Sequence, residues 1–352
     1  MSLKLNMLSI NEQTIISFIK TNQEFSSLEV FNNSGLGVSY ATVKRILQKL
    51  VASNYLISTG RGKGTKYSIS PVYKVIEPVN IDHYYQKEID QRNINTSFNF
   101  LLLSEVLAKH TFFAVDEIDV LSKLQQKYQQ NISGLSAVAY RKEQERLAID
   151  LSWKSSQIEG NTYSLLETEK LLKEKETASG KTKEEAVMLL NHKEALDFII
   201  GKPDYLHFLT VSKIEDIHSL LIKELNVERN LRRRRVGISG TNYTPLDNEF
   251  QINEALRLSC DIINGKENVF EKALLALVLI SYIKPFVDGN KRTARIVSNA
   301  ILIDANYCPL SFRTVDSIDY KKAMLLFYEQ NNISAIKQIF IEQFEFAVKT
   351  YF

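Results

Sequence analysis

The chain has almost no cysteine: Cys260 and Cys308 are the two among 352 residues, each inside an apolar stretch of helical character. Two thiols so placed point away from a disulfide framework or a thiolate metal site and suit a reducing compartment. No apolar run reaches the roughly 18 residues of a membrane helix, so no membrane partner is expected. The first residues, MSLKLNMLSINEQ, lack the continuous apolar core of an export signal, and the expected location is the cytoplasm. One charge sign does not dominate either. A formal charge of +3 is too small for an overall attraction to nucleic acid, so any such contact must come from local patches. Internal repeats and low-complexity tracts are missing.

What is present is enough apolar material, 44% of the residues, for packed cores, and a length that suits two or three domains. The chain is organised around residues 284–295, Lys-Pro-Phe-Val-Asp-Gly-Asn-Lys-Arg-Thr-Ala-Arg. A long apolar run at 273–283 precedes it and another apolar segment at 296–303 follows, both of helical length. The stretch is therefore a loop feeding a helix start inside a domain. Pro285 ends the first helix, Gly289 turns where a side chain would clash, and Asn290 is a good N-cap. Free N–H groups at the positive end of the next helix make a site for an anion. Arg292 and Arg295 share a face and can grip different phosphates, while Asp288 at the mouth can hold magnesium. The residues alone also allow a plainer arrangement, a capped buried helix with both arginines paired to internal carboxylates.

The string resembles the signature of the Fic family, His-x-Phe-x-Asp/Glu-Gly-Asn-Gly/Lys-Arg-x-x-Arg. It matches at Phe286, Asp288, Gly289, Asn290, Lys291, Arg292 and Arg295. The resemblance implies a mainly α, all-helical Fic domain with a short β-hairpin flap. It also implies ATP with Mg2+ as ligand and AMP transfer to a hydroxyl of a target protein. One position departs from the pattern. The family's histidine, which takes the proton of the target hydroxyl, is Lys284 here. A lysine near its reference pKa of about 10.4 is neutral in only about one molecule in a few thousand at pH 7. Lowering that pKa by about 3 units is equivalent to about 4 kcal/mol. The expectation is a charged Lys284 that clamps phosphate, with transfer weakened or lost.

A second segment, 148–161, sets Ser155 and Glu159 one turn apart before a Gly160-Asn161 helix stop. Alone it is a common surface pattern. Beside the first motif it resembles the family's inhibitory motif, Ser/Thr-x-x-x-Glu-Gly/Asn, at Ser155, Glu159 and Gly160. The implied roles are an inhibitory helix around 142–160 on the same chain and a Glu159–Arg295 pair that obstructs the γ-phosphate. Residues 230–245, with four arginines at 232–235 and a Gly-Thr-Asn turn, read as a β-hairpin. That hairpin resembles the family's flap, in which Val236, Gly237 and Ile238 would pin an extended stretch of target protein. The arginines read equally as a solvated charge run or as a contact for another domain or an acidic partner. His192 reads as a satisfied structural group. Phe327, Phe340, Phe344 and Phe346 read as core packing or a contact with a second copy.

Residues 1–72 form a module of their own. Helices are expected at 10–19, from Ser26-Ser27 through Phe31, and from Ser39 onward, where Val43, Ile46, Leu47 and Leu50 share one face. Two β segments, 55–58 and 66–69, flank a basic, glycine-rich link. The order resembles a winged helix-turn-helix, which implies DNA contact by Tyr40, Thr42, Lys44 and Arg45 on the third helix and by Arg61, Lys63 and Lys66 on the wing. Such modules also dock proteins. Residues 73–97 read as a connector and 98–352 as the helical domain. Two functions stand: a nucleotide-binding Fic protein with weakened AMP transfer, or a transcriptional regulator whose silent Fic domain senses a nucleotide.

Overall fold

The computed structural model describes residues 8–21 and 24–352, with the Lys63 side chain outside the described ones. The N-terminal module opens with α1 (Ile10–Lys20), started by a capping box in which Ser9 N donates to Glu12 Oε2 at 2.7 Å. Strand β1 (Phe25–Ser26) leads into α2 (Ser27–Asn33), and Ser39 caps α3 (Tyr40–Ala52). Strands β2 (Leu56–Thr59) and β3 (Lys66–Ile69) complete an antiparallel sheet in the order β1-β3-β2, with Phe25 and Ser58 both facing Tyr67. One face of each helix, Ile15, Ile16 and Ile19 with Val43, Leu47 and Leu50, closes a small core. Gly60, at φ +78, is required between the two strands, since a Cβ there would stand 2.6 Å from Gly64 O.

Residues 73–97 carry no periodic signal yet are ordered. They form α4 (Tyr73–Ile76), α5 (Ile81–Tyr85) and a short 3-10 turn. Tyr73 belongs to the small core, while Val72, Val75, Ile76 and Ile81 belong to the large one. Ile333 N donates to Val75 O at 2.6 Å, and Asn332 Nδ2 to Lys74 O and Glu77 O at 3.0 and 2.9 Å. The large core thus begins near residue 72 rather than at 98.

That large body is helical throughout. A π-helical turn at Leu102–Leu107 precedes α6 (Val115–Ser133), α7 (Ala137–Ile158), α8 (Leu165–Glu174), α9 (Lys183–Gly201) and α10 (Val211–Leu221). After a long loop come α11 (Glu249–Gly265), α12 (Val269–Ile283), α13 (Asn290–Asp304), α14 (Ser317–Gln330) and α15 (Ser334–Thr350). Every side chain of α12 from Ala273 to Ile280 is fully buried, which is why its sequence is apolar all round. Each buried leucine there contributes roughly 1.5–3 kcal/mol, enough to fix the end of α12 and the loop that follows. Helix α13 lies along α12, and α7, α9, α10 and α14 pack around the pair.

Phe327, Phe340 and Phe344 are core side chains, and Phe346 packs against the same core. Both cysteines are buried, and burial pushes the Cys260 thiol up to about 12 and that of Cys308 well above its ordinary value. Among the described residues, no helix is long and apolar enough to cross a membrane.

The expected β-hairpin at 230–245 does not form. Residues 231–247 contain no strand among the described residues. Side chains do the work of a ladder instead. Arg232, fully buried although it opens the arginine run, donates to Lys284 O at 2.7 Å, to Arg234 O at 2.9 Å and to Leu246 O. The run is therefore one interior anchor followed by exposed residues, of which Arg233 and Arg235 pair with Glu249 and Asp247.

Candidate functional site

Helix α12 ends at Lys284, whose backbone is left-handed at φ 50, and the chain turns through Pro285–Gly289 into α13. Gly289, not Asn290, is the N-cap: at φ 82 it holds a conformation that disfavours any side chain. Space forbids one as well, because a Cβ would meet the His218 ring at 3.2 Å and Ile222 Cγ2 at 3.3 Å. Asn290 serves the turn differently, its side chain accepting from Phe286 N and donating to Phe286 O, both at 2.8 Å. The Phe286 ring lies flat on His218, centroids 3.6 Å apart, and His218 Nε2 donates to Asp288 O at 2.9 Å. Burial pushes that imidazole down to about 4, so it is neutral at pH 7 and carries its proton on Nε2. The first N–H groups of α13 face out of the helix start without intrahelical acceptors.

In front of that start lies a cavity of about 390 Å³. Its floor is Lys284, Asp288, Gly289, Asn290 and Lys291; Gly237, Ile238 and Ser239 form one wall; Ser281, Lys321, Met324, Leu325 and Tyr328 form the other. Ile158 and Glu159, at the end of α7, close the remaining side. Its volume is in the range of small-ligand pockets. Val236 does not line it.

Glu159 is the C-cap of α7, and Gly160 continues at φ +102. The Glu159 carboxylate accepts from Arg295 Nη2 at 2.8 Å and from Lys291 Nζ at 3.3 Å. Ser155 adds two more acceptors for Arg295, its Oγ at 2.8 Å and its carbonyl at 2.9 Å. The negative end of α7 and a carboxylate thus meet the positive start of α13. Burial pushes the Glu159 carboxyl up, but Arg295 and Lys291 together outweigh it and hold the group below its ordinary range.

The two arginines expected to grip phosphates are both buried beneath the floor. Arg292 donates to Leu221 O at 3.3 Å and to Asp288 Oδ2 at 3.1 Å, and Arg295 is taken up by α7. The cations that line the cavity are lysines 284, 291 and 321. Burial, then the charges of Lys291 and Arg232, pushes the Lys284 ammonium down, and its Nζ donates to Gly237 O at 2.7 Å. Asp288 is a single exposed carboxylate, and among the described residues no group of three metal-ligating side chains exists. It fits an ion that arrives with phosphate ligands of its own, as magnesium usually does.

His192 is not satisfied as expected. Its ring is fully buried, neither nitrogen has a partner among the described residues, and burial and the nearby Arg295 and Arg292 push it well down. Lys321, Ser281, Met324 and Tyr328 are cavity residues that the sequence reading passed over. The available signal for three of them was the i, i+3, i+7 spacing of Lys321, Met324 and Tyr328 on α14; Ser281, on α12, carried none.

On the N-terminal module, Lys44 and Arg45 are exposed on α3, Arg61 on the strand connection and Lys66 at the start of β3. Tyr40 and Thr42 are engaged internally, Tyr40 Oη with Ser27 Oγ at 2.8 Å and Thr42 Oγ1 with Ser39 Oγ at 2.9 Å.

Fold and site together define a helical domain with a cavity at one buried helix start, closed by a carboxylate from an earlier helix of the same chain. The Fic/DOC family model matches residues 208–302, which contain that helix start. A protein adenylyltransferase Fic of Aedes aegypti is 27% identical over 262 residues, 70% of this chain and 50% of that protein. One of Nematostella vectensis is 30% identical over 174 residues, 47% of this chain and 40% of that protein. The chain thus spans half or less of these curated relatives. Fic-1 (residues 134–508) of C. elegans shares the fold at a TM-score of 0.58 and 20% identity, covering 67% of this chain and 72% of that one. A Fic domain containing signaling protein from Bacteroides thetaiotaomicron does so at 0.55 and 19%, covering 66% and 96%.

Proposed function

We propose that the cavity binds a nucleoside triphosphate, with Glu159 as its gate, and that AMP transfer to a protein hydroxyl is weakened because Lys284 stands at the base position. The observation that carries this reading is the Glu159 carboxylate bridging Arg295 and Lys291 at the mouth of an anion cradle. A terminal phosphate needs the same cations, so the gate and the nucleotide compete for them. The cradle would take phosphates on the start of α13 between Lys284 and Lys291, with the base against Ile238, Met324, Leu325 and Tyr328. Magnesium, held by Asp288 and by the phosphates, would offset their charge. In the transfer, the target oxygen bonds to the α-phosphorus, the bond to pyrophosphate breaks, and the hydroxyl proton needs an acceptor. Lys284, charged beside bound phosphates, supplies none and instead stabilises the leaving charge. The relatives named protein adenylyltransferase support this class of reaction. Both buried thiols agree with a reducing, cytoplasmic setting.

Labelled ATP with a cell lysate tests transfer. The expected result is little label from the wild type or Glu159→Gly, and strong label from Glu159→Gly with Lys284→His. Equal label from the lysine and histidine forms would overturn the role given to Lys284.

A second reading is favoured by the exposed Lys44, Arg45, Arg61 and Lys66 of the N-terminal module, whose helix order and strand pair resemble a winged helix-turn-helix. There the Fic domain senses nucleotide and biases DNA binding. Binding of DNA fragments that weakens with salt and shifts with ATP supports it; salt-independent or absent binding rejects it.

A further inference from the structure

The two walls of the cavity belong to segments far apart in the chain, and one buried side chain joins them. Ser239 ends the flap lining, and the next carbonyl, Gly240 O, accepts from Arg92 Nη2 at 2.9 Å. Tyr328 ends the α14 lining, and the next residue, Glu329, accepts from Arg92 Nη1 at 3.0 and 3.2 Å. Both charged side chains are almost wholly buried, Arg92 at 4% and Glu329 at 0% exposure. Tyr84 Oη donates to Glu329 at 2.6 Å, which holds the carboxylate in place.

We propose that Arg92 is a positioning residue that sets the spacing between the flap and α14, and with it the fit of the ligand between them. A guanidinium is a flat, rigid fork, so fixing two of its nitrogens on Glu329 and Gly240 O fixes the distance between the walls. The flap needs such an anchor because it lacks a backbone ladder; its tip is otherwise held by Lys284 on Gly237 O and by Asn242 on Asp90 at 3.1 Å. Arg92 lies outside the segment that matches the family model. An ordinary salt bridge would need only Glu329. Reaching a neutral carbonyl on the facing wall is what separates a spacer from a charge partner.

Two variants separate these roles. Arg92→Lys keeps the charge beside Glu329 but has one nitrogen, too few to span both walls. Arg92→Met with Glu329→Met removes both buried charges and leaves packing volume. Amide hydrogen exchange of the ligand-free protein is expected to show residues 236–245 exchanging about tenfold faster in both variants, with α12 unchanged, as loss of one charge-assisted bond allows. Flap exchange equal to wild type in the double variant would overturn the proposal, since charge pairing alone would then explain Arg92. The second arm rests on the nucleotide reading. In the Glu159→Gly background, Arg92→Lys should weaken ATP–magnesium affinity about tenfold, the equivalent of that one bond. A looser flap with unchanged affinity would also overturn it. If the Glu159→Gly parent binds no nucleotide, that reading of the cavity fails, and flap exchange decides the case of Arg92 by itself.

Discussion

The floor of the cavity and its flap wall are built by opposite means. In the floor, backbone conformation and burial leave no freedom. Gly289 sits against His218 and Ile222, Phe286 lies on His218, and Asn290 closes the turn on Phe286. Beside it the flap has no strand pairing and is tied at separate points: side-chain bonds from Arg232 at its base and from Lys284, Arg92 and Asn242 further along, buried Tyr243, and the backbone bonds of Arg232 N to Pro285 O and Thr244 N to Thr96 O. A rigid cradle facing a loosely tied wall suits a site that must hold charge in one place and admit a partner from the other side. Substitutions in the floor should therefore cost stability, and those in the flap should alter access.

Gly289→Ala gives the largest effect. The left-handed backbone costs about 1–2 kcal/mol for a residue with a Cβ, and the contacts with His218 and Ile222 add about 1–3. Urea unfolding should show a loss of roughly 2–5 kcal/mol, and a loss below about 1 would mean that the turn relaxes freely.

The pH dependence of His218 comes next. Its folded pKa of about 4 lies below its ordinary 6.5, so the unfolded chain binds the extra proton first. The stability it contributes is complete above the unfolded value and is lost as pH falls toward the folded one. Between pH 6.5 and 4 the wild type should lose up to about 3 kcal/mol that a His218→Phe variant does not lose. Parallel curves for the two would remove His218 from the floor. Glu159 acts in the same direction at lower pH: held below its ordinary carboxylate range, it loses the gate's stabilisation only as pH falls through that lowered value.

The flap answers least in stability. Lys284→Met removes one bond to Gly237 O from a half-buried ammonium and should change unfolding free energy by less than about 1 kcal/mol. Limited proteolysis within 235–246 should nevertheless speed up several-fold. A large destabilisation with an unchanged cleavage rate would show that the Lys284 side chain supports the floor and not the flap.

The same division decides what could be read from the sequence. The floor was legible because its causes are local: an apolar run of helical length, Pro285, a glycine, and a second apolar run. Ser39 before Val43, Ile46, Leu47 and Leu50 announced α3 for the same reason, and the two strands flanking Gly60 followed from their β-rich spacing. The contact of Glu159 with Arg295 was legible only through the family resemblance, since i,i+4 spacing on a helix says nothing about a partner 136 residues away. The flap was misread because a hairpin needs a partner strand, and the deciding interaction is Arg232 turning inward to three carbonyls. No periodicity distinguishes Arg232 from the three arginines after it. Arg92 and Glu329 escaped for a related reason, as a buried ion pair is defined by two distant residues that each look like surface. Asn290 was assigned the cap by residue preference, but the positive φ at the preceding position gave that place to Gly289.

Titration calorimetry with ATP and magnesium, comparing the wild type with Glu159→Gly, tests the gated cradle most directly. Release of Lys291 and Arg295 should tighten binding at least about tenfold, the equivalent of about 1.4 kcal/mol. Equal affinity in the two proteins would contradict the gate, and heat from neither would contradict the nucleotide site itself.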